Sequence, residues 1–487
     1  MKQLYFILIF SLACASNASA QASAFTLTTT HTGLGADQNK VLTYVSNLPR
    51  NGNLMYVNWD AQSLVDNNGN ISFTLPNENS GQPITFEVTD AYFATPTEYA
   101  LFGRSSFGEV AFYVTPQGTG GSIDLNAFSY SLYPLGGIKG LLIKRSPTEV
   151  ESGVCGVDTP SPEGGGYCED DCGSAVLDVL AMVEPGAQTW VNDNFGIFGQ
   201  WFLFVETNNI NGAFFVSIVP NKRVRVRVIN YTPDFNLTTL IGTDMNNFRN
   251  NAAAQQLAQQ NGADIRVLLT IQDYPGLAGA IPTDQLDPTT TNKVAIVEVP
   301  FIGSIRYTFA HEVAHHFGCW HSTPTIPGCP NGKNMLIGRN TIMANAADNT
   351  RIQHFSNPDV FFAGEATGDV GTRDNAAQIR GAFCEVVNNI APTIFSANFD
   401  YDPVVCAGNP FYASASAEEG WGLTFLGWEQ WCTGPYSYQW SWSGNPNFSN
   451  PHNIGTNSPE LDMPAPPQCP KFYLRVTITS SAGCIPG

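Results

Sequence analysis

His311-Glu312-Val313-Ala314-His315-His316-Phe317-Gly318-Cys319-Trp320-His321 is the stretch that decides the fold, and it holds four of the chain's seven histidines. On a helix, positions i and i+4 lie one turn apart on one face, so His311 and His315 present two imidazoles to one ion while Glu312 stands beside it. Gly318 suits the left-handed backbone that ends a helix, letting the chain double back and deliver His321 from outside. Three neutral nitrogens leave a tetrahedral zinc one position open for water, the arrangement of a catalytic rather than a closed structural site. Tyr307, Ala310, Ala314 and Phe317 form one apolar stripe and no proline interrupts 303–318, which predicts a helix there. His316, about 100° further round, is expected to point elsewhere as a structural or surface histidine. The full spacing would arise by chance in on the order of one in 10⁵ shuffled chains of this composition.

Upstream, the sequence alternates strands with helices. Strands are expected at 175–183, 223–229, 263–270 and 293–299, with helices around 195–211 and 245–261. That order predicts an α/β domain with the histidine helix following its last strand.

The histidine stretch resembles the signature of the metzincin zinc proteases. Thr341-Ile342-Met343-Ala344, 22 residues beyond His321, resembles their Met-turn, in which Met343 would lie beneath the metal without ligating it. Arg351-Ile352-Gln353-His354-Phe355-Ser356-Asn357-Pro358-Asp359 and Asp374-Asn375-Ala376-Ala377-Gln378-Ile379-Arg380 resemble secreted bacterial members of the reprolysin-like (adamalysin-like) branch. Ser322, where reprolysins usually carry Asp, leaves the branch open. The resemblance covers roughly 175–392 and implies a zincin catalytic domain with one zinc ion on His311, His315 and His321. Glu312 is implied as the general base, and protein or peptide chains as substrates. It also implies that residues 293–299 form the edge strand lining the cleft.

Residues 1–20 carry Lys2, an apolar run and Ala18-Ser19-Ala20, the pattern of a secretory signal peptide, so the mature protein is expected outside the cytoplasm. Cys14 lies in an imperfect lipoprotein box, and lipid anchoring there is not expected. No later stretch has 18 uninterrupted apolar residues, so no transmembrane segment is expected. Of the 11 cysteines, removal of Cys14 leaves ten, which suits disulfides in an exported protein. They fall in groups of three, three and four, so each group of three hides either a cross-link or a free thiol. Residues 21–172 read as a β-rich propeptide and linker, with alternating segments such as Ile84-Thr85-Phe86-Glu87-Val88. Val154-Cys155-Gly156-Val157 resembles the cysteine-switch segment of reprolysin propeptides. Cys155 is therefore a candidate latency ligand filling the open zinc position, or else a disulfide partner of Cys168 or Cys172.

Residues 173–392 are read as the catalytic domain and 393–487 as an immunoglobulin-like β-sandwich. Five of the nine tryptophans lie between Trp421 and Trp442, serving either a sandwich core or surface and glycan contact. With 22 Lys and Arg against 41 Asp and Glu, the net charge of −19 excludes a nucleic-acid backbone as partner. The expectation is a secreted zinc endopeptidase made as a zymogen. The competing class is an adhesion or binding protein with a silent zincin scaffold, and a zinc hydrolase of non-peptide substrates is a third. Retention of Glu312 beside all three histidines counts against silence.

Overall fold

A computed structural model describes residues 8–9, 25–48, 54–59, 65, 69–75, 78, 81–95, 98–126, 128–145, 154–155, 175–274, 277–301, 307–323, 328–336, 338–345 and 350–387, and parts of 396–480. The expected signal peptide, apart from Leu8 and Ile9, lies outside these residues, as do Cys14, Cys168, Cys172 and most of the expected linker.

Alternating sequence in the first third makes one antiparallel sheet. Its strands are β1 (Phe25–Thr28), β2 (Met55–Trp59), β3 (Asn70–Phe73), β4 (Ile84–Thr95), β5 (Glu98–Ser105), β6 (Gly108–Thr115), β7 (Gly118–Leu125), β8 (Ser129–Pro134) and β9 (Lys139–Lys144), ordered β1-β2-β9-β8-β7-β6-β5-β4-β3. Helix α1 (Ala36–Asn47) buries Val41 and Val45. Because side chains alternate along a strand, β6 sends Val110, Phe112 and Val114 to one face and Ala111 and Tyr113 to the other. The first set joins a core private to this sheet, and the second joins the core of the α/β region that follows.

The next region is the expected α/β layer. Strands β11 (Ala175–Val183), β12 (Lys222–Asn230), β13 (Ile265–Thr270), β14 (Leu277–Ala280) and β15 (Lys293–Glu298) form a sheet with a short strand β10 (Val154–Cys155), ordered β10-β14-β15-β13-β11-β12. Near-continuous apolar runs such as Val179-Leu180-Ala181-Met182-Val183 suit parallel strands covered on both faces, and β12, β11, β13 and β15 are all parallel. The edge assignment needs correcting. Residues 293–299 do not form the edge: β15 lies inside the sheet, and the antiparallel four-residue β14 flanks it.

Helix α3 (Gly199–Val216) answers the helix expected around 195–211, and α2 (Pro185–Phe195) precedes it where no helix was expected. Proline fits the first turn of α2, where its missing N–H costs nothing, and the Glu184 carboxylate accepts from Gly186 N at 2.6 Å and Ala187 N at 2.8 Å. Gly196, at φ 54°, ends that helix and forces a restart. The next expected helix is two, α4 (Ile241–Asn250) and α5 (Ala252–Asn261), divided where Asn251 Oδ1 caps Ala254 N at 2.8 Å. Then come α6 (Thr308–His315), shorter than the 303–318 expected, and α7 (Asn375–Val387).

Beyond residue 395 the described residues form short antiparallel strands, including Tyr436–Ser443 paired with Tyr473–Ser480. Trp440 is fully buried, and its indole N–H donates to Ser458 O at 2.9 Å, a core use of that ring. Among the second group of cysteines, Cys329 and Cys384 are disulfide-bonded and Cys319 is a buried free thiol, which accounts for the odd number. No helix among the described residues is long and apolar enough to cross a membrane.

Candidate metal centre

Helix α6 opens on Tyr307, held in a left-handed conformation at φ 50°, and Tyr307 O accepts from His311 N at 2.8 Å. The expected stripe of Tyr307, Ala310, Ala314 and Phe317 is buried in the main core and fixes the rotation of the helix. His311, Glu312 and His315 are all buried on this helix.

Gly318 adopts φ 80°, and a Cβ there would press on Gln378 Nε2 and Leu286 O. Both conformation and space therefore call for glycine, as the sequence implied. Past this turn Trp320 N donates to Pro330 O at 2.6 Å and Gly332 N to Trp320 O at 2.9 Å, a small ladder that carries His321 back over the helix. His316 is fully buried beside Lys293, a structural residue rather than a surface one, and is not part of the metal-binding cluster.

The three imidazoles converge. His311 Nε2 lies 3.1 Å from His321 Nε2 and 3.2 Å from His315 Nε2. A carbonyl can only accept, so the 2.8 Å contact of His311 Nδ1 to Ile342 O and the 2.7 Å contact of His315 Nδ1 to Cys319 O place the ring protons on Nδ1. Both Nε2 atoms are then bare lone pairs, which would repel at such separations unless a cation lay between them. Ligands of a tetrahedral zinc with Zn–N of about 2.0–2.1 Å sit roughly 3.3 Å apart. The donor set fits that ion.

Electrostatics agree. Burial, then the charge of Arg351 and the other rings, holds His311 well below the usual histidine range. Burial also leads for His315, and His321 is pushed down to about 4 by burial and Arg351. All three are neutral at physiological pH, the form that ligates metal.

Met343 is fully buried in the turn after Ile342, whose carbonyl orients His311. A Cβ at Gly332 would collide with the backbone of Met343, so this turn is closely packed from below. Residues 353–357 tie the floor to α3. Gln353 Nε2 donates to Asn209 O at 2.8 Å, Phe355 N to Ser217 Oγ at 2.8 Å and Asn357 Nδ2 to Ser217 O at 2.8 Å.

One functional position escaped the sequence reading. A Cβ on Gly279 of β14 would lie 2.9 Å from Glu312 Cγ and Oε1, so β14 passes directly against this carboxylate. On its outer side β14 pairs in parallel with β10, Val154 facing Leu277 and Cys155 facing Gly279. Cys155 is therefore brought to the same edge by backbone pairing.

Residues 210–322, which span all three histidines and Glu312, match the family described as metallo-peptidase family M12B, reprolysin-like. No curated protein matches the chain. Among 60 matching chains of solved structures, one from a chaperone-substrate complex is 14% identical with a TM-score of 0.36. That match covers 64% of this chain and 40% of the other, so this chain spans less than half of that one's length. Metalloproteinase-II from Bacteroides fragilis is 10% identical with a TM-score of 0.35, over 52% of this chain and 81% of that one.

Proposed function

From the premise that residues 210–322 are a reprolysin-like metallopeptidase segment, we propose that this protein is a secreted zinc endopeptidase made in a latent form. The observation that carries the reading is the convergence of three buried histidine Nε2 atoms, with Glu312 on the same helix as two of them. His311, His315 and His321 hold the ion. When bound, it supplies Lewis-acid polarisation of the scissile carbonyl and acidification of a water. Glu312 accepts the proton of that water on its carboxylate and delivers it to the leaving amine nitrogen. Met343 supports the floor without touching the reacting atoms.

Strand β14 aligns an extended peptide through its backbone groups, the usual role of a sheet edge in peptide recognition. The pairing of Val154 and Cys155 with that edge supports latency, since a substrate strand needs the same hydrogen-bonding groups. A Cys155 thiolate in the fourth position is the switch, and a cut within 156–174 opens the cleft. The signal-like residues 1–20 support export. The antiparallel strands after 395 support an immunoglobulin-like appendage.

The test is hydrolysis of casein, an unstructured substrate, by full-length protein cut within 156–174, with and without a chelator. Chelator-sensitive cleavage by wild type, and its loss in Glu312→Ala protein that keeps its zinc, is the expected result. If zinc-loaded wild type cuts no better than Glu312→Ala, the proteolytic reading falls.

A further inference from the structure

Helix α3 is buried along nearly its whole length, with Trp201, Phe202, Val205, Ile210 and Phe214 flanking a buried polar run from Glu206 to Asn209. Large apolar side chains on opposite sides of one helix need cover on each side. One side meets the catalytic core, where the ring of Phe214 lies 6.3 Å from Phe317 and 6.0 Å from Phe383. The opposite side is covered by the N-terminal sheet. Tyr133 lies 6.0 Å from Trp201 and Tyr113 6.3 Å from Phe204, and Phe102 stacks on Phe215, the helix's penultimate residue, at 5.6 Å. Gly120 of β7 lies so close that a Cβ there would overlap the Trp201 ring. Each such aromatic ring buries roughly 150–250 Å², so uncovering three or four would exceed the few hundred Å² of apolar patch that soluble monomers leave open.

Polar contacts cross this seam too. Tyr113 OH donates to Asn209 Oδ1 at 2.9 Å, and Arg104 reaches the Phe215 and Val216 carbonyls at the end of α3. Glu109 of β6 pairs with the His354 ring at 2.7 Å. The backbone of His354 continues into the metal site: His354 O accepts from Ile342 N at 2.8 Å, and Ile342 O accepts from His311 Nδ1 at 2.8 Å.

We infer that residues 25–145 are a permanent scaffold of the catalytic region rather than a leader that departs on activation, and that Glu109 acts as a positioning residue for the metal-site floor through His354. Latency and scaffolding then belong to different segments. A cut after Cys155 frees β10 from the cleft edge, while the nine-stranded sheet stays docked on α3. This holds whatever reaction the metal site performs.

The test inserts a specific protease site within 156–174 of the full chain, with uncut insert protein that melts like wild type as the control. After cutting, the two fragments are expected to co-elute on gel filtration and melt in a single transition, separating only in denaturant. Fragments that part under native conditions, leaving a monomeric, zinc-loaded 175–487 piece, overturn the scaffold. Glu109→Gln in the cut protein is expected to keep the fragments together while losing zinc to a chelator at least roughly threefold faster. Zinc loss at the wild-type rate overturns the positioning role. Glu109→Asp, which keeps the charge, is expected to restore slow release, and its failure to do so also counts against that role.

Discussion

Gly279 shows how much a single residue can decide at this site. With no side chain it lets β14 run against Glu312, and alanine would set a methyl 2.9 Å from both Cγ and Oε1. The carboxylate must then rotate or the strand must retreat, either of which misplaces the proton acceptor. Misplacement by about 1 Å can cost on the order of 10²-fold in rate, so Gly279→Ala is expected to lose roughly that much casein hydrolysis while zinc content stays unchanged. An unaltered rate would show that β14 does not set the position of Glu312. The histidines and Gly318 were legible in the sequence because their chemistry depends on local spacing. Gly279 was not, because Pro275-Gly276-Leu277-Ala278-Gly279-Ala280 has neither alternation nor a run of large apolar residues. Pairing to β15 and β10, rather than any pattern of its own, makes it a strand.

Among the elements, the parallel strands were legible because strands buried on both faces leave continuous apolar runs. Their order was not, since no sequence pattern records which strand lies beside which. Helix lengths depended on single residues: Gly196 ends α2 at the start of the stretch expected to be helical, Asn251 divides a stretch expected to be one helix, and Tyr307 immediately precedes α6. At the entry to β13, Asp264 N donates to Asp178 O of β11 at 2.8 Å, and Asp264 Oδ2 accepts from Asp178 N at 2.9 Å. Burial, reinforced by the Asp178 charge, raises the Asp264 carboxyl to about 8. A carboxyl raised above its unfolded value of about 3.9 favours the fold fully only below that value, and the contribution is lost as pH climbs towards 8. Asp264→Asn keeps an acceptor and removes the charge. Its melting temperature is expected to exceed that of wild type by a margin that widens from pH 5 to pH 8, and a constant margin would show that Asp264 does not titrate in this window.

At the scale of the whole molecule, the sequence placed a boundary where the Pro- and Gly-rich stretch after Val150 separates a β-rich region from the α/β region. The described strands from Phe25 to Lys144 form the antiparallel sheet and those from Ala175 to Glu298 the α/β sheet, yet the two parts share one core through α3. That union was not legible because alternation shows that a strand has two faces without saying what each face meets. Tyr113 and Phe112 look alike in sequence and serve different cores. The motif at 351–359 reads differently once folded, since Gln353, His354, Phe355 and Asn357 fasten the floor of the site to α3 and to β6. Everything at this scale converges on three nitrogens, so the most direct measurement is the metal content and zinc-edge X-ray absorption of full-length protein purified without added metal. The account predicts about one zinc per chain with a nitrogen shell at roughly 2.0–2.1 Å, lost in His315→Ala. A folded wild-type chain that holds no zinc, or holds it equally well without His315, would contradict it.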